Sequence, residues 1–372
     1  MRSSLLFIIA FLMALTACHL SHKPKEKDGR EAAILLHFLH DARGRGTLFG
    51  HQDDLAYGIG WKYIDGESDT KRTAGDYPAL FGWELGALEL SHPHNLDSVP
   101  FDRMRNFAIW VHQNGGVNTF SWHPYSALDT SKSSWTNDTR IIGHILPGGS
   151  HHDIFKSHLD KVADFFLSLK TADGRPVPFI FQPWHEMDGS WFWWGKDTTT
   201  PAELQQLFRF TIEYLRNEKG IANLLSAYSP DRNFNSEEEY LTWYPGDDVV
   251  DIIGVDNYWD FRAPDGLPDV IRKLEIVVNY ANKTGKVAAF TETGSDGIRD
   301  STWFTEKLYA AINANETTRQ IVYAMVWRNR DLGHFYVPHP EHPAADDFRA
   351  FAAKENIWLL EEWKHMKANH RH

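Results

Sequence analysis

The chain has 372 residues, of which 42% are apolar and 24% charged, and this ordinary globular composition excludes a disordered chain, a collagen and a coiled coil. Lys and Arg number 38 against 50 Asp and Glu, so the net charge is −12 and the chain lacks the basic footprint of a nucleic-acid-binding protein. The 15 Trp residues are unusually many. They form either a large aromatic core or a surface on which planar or sugar-ring ligands stack.

The first residues are typical of an exported protein. Arg2 precedes an apolar run over residues 5–14, the pattern of a secretory signal that is too short to span a membrane. The segment that follows, LTAC at residues 15–18, resembles a bacterial lipobox, and Cys18 is the only Cys in the chain. We therefore predict that Cys18 is lipidated. A plain signal cleaved near Ala17, with Cys18 incidental, is the alternative.

These features divide the chain into a signal peptide over residues 1–17, a lipidated polar tether over 18–30 and one folded domain over 31–372, which no Ser- or Pro-rich linker interrupts. Lipoproteins exported to the cell surface tend to carry acidic residues directly after the lipidated Cys, and here none precedes Glu26. The sequence therefore favours anchoring at the outer membrane with the domain facing the periplasm. A position at the cell surface is the alternative.

Eight short apolar runs recur along the domain, and each has the length and the β-branched or aromatic content of a strand buried on both faces. They lie at residues 47–50, 79–85, 117–122, 178–183, 224–228, 249–255, 287–291 and 321–327. Amphipathic stretches of helical period lie between most of them, the clearest at 154–169, 201–217, 268–282 and 303–313. Thr200 is placed as a helix N-cap, and Gly220 and Gly285 follow helix ends.

This alternation predicts an α/β fold, a single (β/α)8 barrel. A doubly wound open sheet is the alternative, but it usually carries a Gly-rich phosphate turn after its first strand, and GHQDD at residues 50–54 is not one. In a barrel, the functional groups lie just after the carboxyl ends of the strands.

Two carboxyl groups stand at such positions: Glu186 after the fourth strand and Glu292 at the end of the seventh. Because each ends an apolar run, burial would raise its pKa, whereas cations or hydrogen-bond donors would lower it. Such a pair can divide into a protonated acid and an ionised nucleophile, which is what glycoside hydrolysis requires. Two structural Glu residues within hydrogen-bond networks are the alternative.

Other reaction types find less support. His185-Glu186 does not begin an HExxH zinc motif, because residue 189 is Gly. The chain has no G-x-S-x-G nucleophile elbow and no Cys beyond Cys18 for acyl transfer. Four further histidines lie in predicted loops near Asp97 and Asp153: His92, His94, His151 and His152. We expect them to be solvated, and a structural metal site is the alternative.

Several segments resemble glycoside hydrolase family 26, whose members are mostly β-mannanases. Residues 181–195 (FQPWHEMDGSWFWWG) are similar to its acid/base segment and residues 290–294 (FTETG) to its nucleophile segment. The first string is specific, whereas the second is weak by itself. GHQ at 50–52, SWHP at 121–124 and WR at 327–328 also fit, so the resemblance covers about residues 31–360.

The resemblance implies a (β/α)8 barrel that hydrolyses β-mannan with retention of anomeric configuration, with Glu186 as acid/base, Glu292 as nucleophile and no cofactor or metal. It also implies a set of substrate-binding and supporting residues. These are His185 beside Glu186, Tyr258 hydrogen-bonded to the nucleophile, His123, Trp191 and Trp327 around the sugar under attack, and Arg328 and Asp256 at the next glycone subsite.

Alternatives stay open at this point. The family also contains xylanases and mixed-linkage glucanases, and a non-catalytic glycan-binding lipoprotein or a metal-dependent hydrolase would be a different class of protein. The loops at 53–72 and 88–99 are long enough to close one end of a cleft, so either internal cleavage or release of mannobiose from chain ends fits. We expect a monomer that meets the membrane only through its lipid.

Overall fold

The structure, a computed structural model, describes residues 29–369. Eight parallel strands pair in chain order and the last pairs back onto the first, so the sheet closes into a barrel. The strands are β1 (Thr47–Gln52), β2 (Leu80–Glu84), β3 (Val117–Trp122), β4 (Phe179–Pro183), β5 (Leu224–Tyr228), β6 (Ile252–Asp256), β7 (Val287–Thr293) and β8 (Ile321–Val326). The prediction of a single (β/α)8 barrel is confirmed, and each predicted run overlaps one of these strands.

Helices surround the barrel. The α-helices are α1 (Arg30–Ala42), α2 (Asp69–Ala74), α3 (Phe101–Gln113), α4 (Ile142–Ile145), α5 (His152–Ser168), α6 (Pro201–Glu213), α7 (Glu237–Tyr240), α8 (Leu267–Thr284), α9 (Ala310–Ile312), α10 (Ala345–Ala352) and α11 (Leu360–Asn369). π-Helical turns follow α6 (Tyr214–Glu218) and precede α9 (Phe304–Tyr309). Short 3₁₀ turns lie at Leu88–Leu90, Leu241–Trp243, Asp260–Arg262 and Thr318–Gln320. Tyr57–Gly58 and Trp61–Lys62 form a small hairpin after β1, and Ile357–Trp358 pairs with the start of β1.

Local sequence explains where these helices begin and end. At the start of α6, Glu203 N donates to Thr200 Oγ1 (3.3 Å) and Thr200 N donates to Glu203 Oε2 (2.8 Å), a complete capping box. Gly220 (φ 69°) and Gly285 (φ 67°) take the left-handed conformation that favours glycine beyond a helix end. The predicted N-cap and the two predicted helix stops are therefore all present.

The amino-terminal end of the barrel is closed by helices. Leu39 of α1 and Trp363 of α11 are fully buried and belong to one apolar cluster with the barrel residues Leu48, Leu80 and Ile180. This packing fills the end of the barrel at which the strands begin, so the opposite end, where polar side chains follow the strands, is the one open to a ligand.

α1 begins at Arg30, the last residue of the predicted tether. Cys18, the predicted signal peptide and the rest of the tether lie outside the described residues. No helix within residues 29–369 has the length and apolar character needed to span a bilayer.

Candidate active site

Three carboxyl groups converge at the carboxyl end of the barrel. Glu186 follows β4, Asp256 ends β6 and Glu292 lies near the end of β7, and one carboxylate oxygen of each lies within 4.8 Å of the others. Asp256 and Glu292 are buried and Glu186 is partly buried. The structure thus brings the two predicted glutamates together and adds a third carboxyl group to them.

Glu186 stands on a strained piece of backbone. Trp184 (φ 56°) and Glu186 (φ 53°) both take left-handed conformations, which cost free energy for residues other than glycine. The segment is held because Glu186 N donates to Ser229 O of the next strand's end (2.8 Å). Trp191 Nε1 donates to Glu186 Oε2 (2.8 Å), which fixes the carboxyl group at the mouth of the barrel.

Glu292 is placed by an irregularity in the sheet. The β6–β7 ladder shifts register after Val255, so Asp256 pairs with Glu292. Tyr258 OH donates to Glu292 Oε2 (3.1 Å), whereas Glu292 Oε1 has no hydrogen-bond partner in the protein. One oxygen of this buried carboxyl group is therefore oriented and the other is left unengaged.

Burial and mutual repulsion raise the pKa of both glutamates. For Glu186, burial raises the pKa most, followed by the charges of Asp256 and Asp231, while the hydrogen bond from Trp191 opposes the shift. For Glu292, burial and then the charge of Glu186 raise the pKa, and the Tyr258 hydrogen bond opposes them. Each shift favours the protonated, uncharged form of the glutamate.

A fourth carboxyl group, Glu84, lies on the β2–β3 side, where hydrogen-bond donors surround it. Glu84 is buried and accepts hydrogen bonds from Ser121 Oγ (2.7 Å), His123 N (2.8 Å) and His123 Nδ1 (2.7 Å). Burial alone would raise the pKa of Glu84, but the charge and hydrogen bonds of His123, together with the Ser121 hydrogen bond, lower it to about 2. No role for Glu84 was assigned from the sequence, because its partners come from a neighbouring strand.

His185 and Asp256 lie elsewhere than the resemblance implied. The His185 ring contacts His123, with 3.1 Å between their Nε2 atoms, rather than Glu186, because the left-handed turn at Trp184 directs neighbouring side chains apart. Asp256 is fully buried and contacts Ser229 and Gln182 instead of lining a glycone subsite, because it is the last residue of β6 and lies within the barrel wall.

The other predicted binding residues are distributed around the glutamates. Tyr258 contacts Glu292 as expected, and the Trp327 ring lies 6.4 Å from the His123 ring. In the aromatic run after Glu186, Trp191 is partly exposed at the mouth, whereas residues 192–194 are buried in the core.

A polar contact joins the three loops that follow β1, β2 and β8. Arg328, after β8, forms an ion pair with Asp97 (2.9 Å) and lies 3.3 Å from Tyr57 OH, which in turn donates to Asp53 (2.6 Å). Burial and the charge of Asp97 raise the pKa of Asp53 to about 8, against the Tyr57 hydrogen bond and the charge of Arg328. A cavity of about 750 Å³ lies beside this contact and is lined by Tyr57, Asp97 and Arg328.

The loop histidines form no comparable cluster. Within residues 29–369, the Glu186, Asp256 and Glu292 trio is the only group of three or more His, Cys, Asp or Glu side chains close enough to share an ion. His92 and His94 lie near each other, with 6.5 Å between ring centroids, and His144 and His151 form a similar pair at 6.3 Å.

A closed parallel barrel with two close carboxyl groups after β4 and within β7, bordered by Trp and Tyr side chains, has the architecture of a glycoside hydrolase. Comparison with known proteins identifies which one: the model of glycosyl hydrolase family 26 matches residues 25–327, and the chain belongs to that family.

Individual proteins that are similar to this chain include mannanases of the same family. A mannan endo-1,4-β-mannosidase of Bifidobacterium adolescentis is 34% identical over 336 residues, covering 83% of this chain and 32% of the relative, so this chain spans about a third of that protein. A β-mannanase of the same family from Bacteroides ovatus superimposes with a TM-score of 0.85 at 40% identity, covering 89% of this chain and 95% of that chain. A modular endo-β-1,4-mannanase from Cellulomonas fimi superimposes with a TM-score of 0.81 at 36% identity, covering 89% and 76%.

Proposed function

We propose that this protein hydrolyses β-1,4-mannosidic bonds in mannan, galactomannan or manno-oligosaccharides, with retention of anomeric configuration. The relatives named above support the substrate. The observation that carries the mechanism is the approach of the Glu186 and Glu292 carboxylate oxygens to within 4.8 Å. Retaining glycosidases hold their carboxyl groups about 5–5.5 Å apart, whereas inverting enzymes need about 6.5–9.5 Å to admit a water molecule.

The proposed reaction has two steps. In the first, a Glu292 oxygen forms a bond to the anomeric carbon while Glu186 gives its proton to the departing glycosidic oxygen. In the second, Glu186 takes a proton from water, whose oxygen bonds to the same carbon, and the Glu292 carboxylate leaves. Glu186 therefore regains the proton that it lost, and Glu292 regains its charge.

Neighbouring side chains support these roles. Tyr258 holds Glu292 through one oxygen, which leaves Oε1 for bond formation. The raised pKa of Glu186 keeps its proton available near neutral pH, as a general acid requires. The exposed part of Trp191, beside Glu186, offers an apolar face to a sugar ring.

The first-formed product anomer tests this proposal. Proton NMR during hydrolysis of mannohexaose should show the β-anomer first, followed by mutarotation. Early appearance of the α-anomer would contradict retention. Cleavage of xylan or mixed-linkage glucan in preference to mannan would contradict the substrate assignment instead, and these assays use the same protein sample.

We further propose that cleavage proceeds from chain ends and releases mannobiose. The contact between Arg328, Asp97 and Tyr57 joins the loops after β1, β2 and β8, and the first two are the loops that the sequence indicated as long enough to close one end of a cleft. Asp97→Ala should convert an initial product pattern of mannobiose into a ladder of oligosaccharides. Asp102→Ala, which removes an exposed 2.7 Å ion pair with Arg105 on α3, is the matched control. A ladder from the unmodified protein would show internal cleavage.

Finally, we propose that lipid on Cys18 anchors the protein at the outer membrane, facing the periplasm. The lipobox-like segment and the absence of acidic residues before Glu26 support this location. Cys18→Ala should release the protein from membranes. Protease added to intact cells should leave the anchored protein undigested, and its loss from unbroken cells would instead indicate the cell surface.

A further inference from the structure

A carboxylate oxygen of Asp256 lies within 4.8 Å of one from each of Glu186 and Glu292, and Asp256 has polar contacts that the proposed reaction does not use. The side chain is fully buried. Its Oδ1 atom lies 2.6 Å from Ser229 Oγ, and its Oδ2 atom lies 3.2 Å from Gln182 Nε2. The Gln182 amide is a donor, so it fits either a charged or a neutral carboxyl group. The Ser229 contact decides between them.

The hydroxyl groups of Ser229 and Thr291 link Asp256 to Val255 O, and one arrangement of their protons satisfies all of these contacts. Thr291 Oγ1 lies 2.8 Å from Val255 O, and a carbonyl oxygen can only accept, so the single hydroxyl proton of Thr291 is used there. Ser229 Oγ is also in hydrogen-bond contact with Thr291 Oγ1, so Ser229 must donate its own proton to Thr291. In this arrangement Ser229 has no proton left for Asp256, so the 2.6 Å contact between them takes its proton from Asp256.

We propose that Asp256 is held as a neutral carboxylic acid, donating to Ser229, and that it acts as a positioning residue that leaves a single negative charge among the three carboxyl groups. In the opposite arrangement, Thr291 donates to Ser229 and Ser229 donates to Asp256. The Thr291 hydrogen bond to Val255 O would then be lost. This arrangement would also place a second charge within 4.8 Å of both glutamates.

The surrounding charges favour the same state. The titratable groups that act on the site are Glu186 after β4, Asp231 after β5, Glu292 on β7, Tyr323 on β8, Tyr240 on α7 and Tyr258 after β6 itself. Burial and then the charge of Glu292 raise the pKa of Asp256 well above its ordinary value, although its hydrogen-bond contacts with Ser229 and Thr291 act in the opposite direction. A proton on Asp256 therefore relieves the repulsion that these carboxyl groups would otherwise impose.

This neutral state matters for both steps of the reaction, and the inference rests on the roles proposed for Glu186 and Glu292. In the free enzyme Glu292 carries the charge and Glu186 the proton. In the glycosyl-enzyme, Glu292 is an uncharged ester and Glu186 becomes the charged base. The trio thus holds one negative charge throughout, and an ionised Asp256 would oppose the charge on whichever glutamate must carry it.

Asp256→Asn tests the proposal because it exchanges a neutral acid for a neutral amide of the same shape, whose NH₂ can donate to Ser229. The pH profile of kcat/KM should keep both apparent pKa values within about 0.3 unit of the unmodified enzyme, whatever the change in absolute rate. If Asp256 is ionised in the native enzyme, removing its charge would lower both apparent pKa values by about 1–2 units and overturn the proposal.

Thr291→Val tests this series of hydroxyl hydrogen bonds. Without the Thr291 oxygen, Ser229 can donate to Asp256 and favour its ionisation, so both apparent pKa values should rise by about 1 unit. Thr293→Val is the matched control on the same strand, since Thr293 Oγ1 donates only to Asn257 O (2.9 Å). If the pH profile of Thr291→Val is not shifted, or if both variants shift equally, the proposed series of hydroxyl hydrogen bonds is contradicted.

Infrared spectroscopy tests the protonation state without requiring turnover. The spectrum of Glu186→Gln at pH 7 should contain a carboxylic-acid carbonyl band that is absent from the Glu186→Gln/Asp256→Asn double variant. An unchanged band would overturn the neutral state of Asp256. Because this measurement needs no substrate, its result is independent of whether mannan is cleaved.

Discussion

Glu84 and Glu292 are both buried at the carboxyl end of the barrel, yet their pKa values move in opposite directions. Glu84 faces the β2–β3 side, where His123 and Ser121 supply donors and a compensating charge, and its pKa falls to about 2. Glu292 faces Glu186 and Asp256, receives one hydrogen bond from Tyr258, and its pKa rises. Burial is common to both, so the neighbouring groups decide whether the pKa of a buried carboxyl group falls or rises.

The largest effect is expected at Glu292. Glu292→Ala removes the atom that would bond to the anomeric carbon, so hydrolysis of every substrate should fall below detection. Initial rates on mannan and on an aryl β-mannobioside measure this, with circular dichroism as the control for folding. Residual activity that is equal on both substrates and well above background would contradict its role as nucleophile.

Glu186→Ala should lower kcat/KM on mannan by about 10²–10⁴-fold, the usual contribution of a general acid. The loss should be much smaller on an aryl glycoside whose leaving group needs little protonation. The two substrates are therefore compared in one experiment, with the unmodified enzyme as reference. Equal losses on both would remove the distinction between acid and nucleophile that the geometry supports.

Glu84 should matter for stability. Because its pKa in the folded protein lies below the ordinary 4.5, its contribution is present above pH 4.5 and is lost as the pH falls towards about 2. That contribution amounts to about 3 kcal/mol. Urea unfolding at several pH values should show that Glu84→Gln lowers the free energy of unfolding at pH 6 and flattens its decline below pH 4.5.

Glu89 provides the contrasting control for this measurement. It is also buried, but burial raises its pKa to about 7 in spite of hydrogen bonds from Tyr125, Trp122 and Ala87. Its burial therefore lowers the free energy of unfolding as the pH rises from 4.5 to 7. In Glu89→Gln the free energy of unfolding should change less over this pH range. The same pH dependence in the two variants would contradict the comparison.

The smallest effect is expected at Trp191. Trp191→Phe keeps an aromatic face but removes the hydrogen bond to Glu186, so kcat/KM should fall about tenfold. The bond lowers the pKa of Glu186, so its loss should move the basic limb of the pH profile upward. Trp259→Phe is the matched control, since Trp259 is half exposed and stacks on Arg262, away from the carboxyl groups. A downward shift, or an equal one in the control, would contradict the assignment.

The sequence alone determined the barrel and the meeting of two glutamates at its carboxyl end. Doubly buried parallel strands require continuous apolar runs, and eight of these are visible without a structure. Because every strand of such a barrel ends at the same face, Glu186 and Glu292 were predicted to meet from strand position alone. Thr200 and Gly285 were also predictable, since helix capping depends on residues adjacent in the chain.

Only the tertiary structure decided the partners of these groups. The left-handed turn at Trp184 and Glu186 directs His185 to His123, and the register shift after Val255 brings Asp256 opposite Glu292. Neither feature has a local sequence signal, because each is held by contacts with other strands. The charge state of a carboxyl group likewise depends on neighbours that are distant in the chain, so Glu84 and Glu292 look alike in sequence and differ in chemistry.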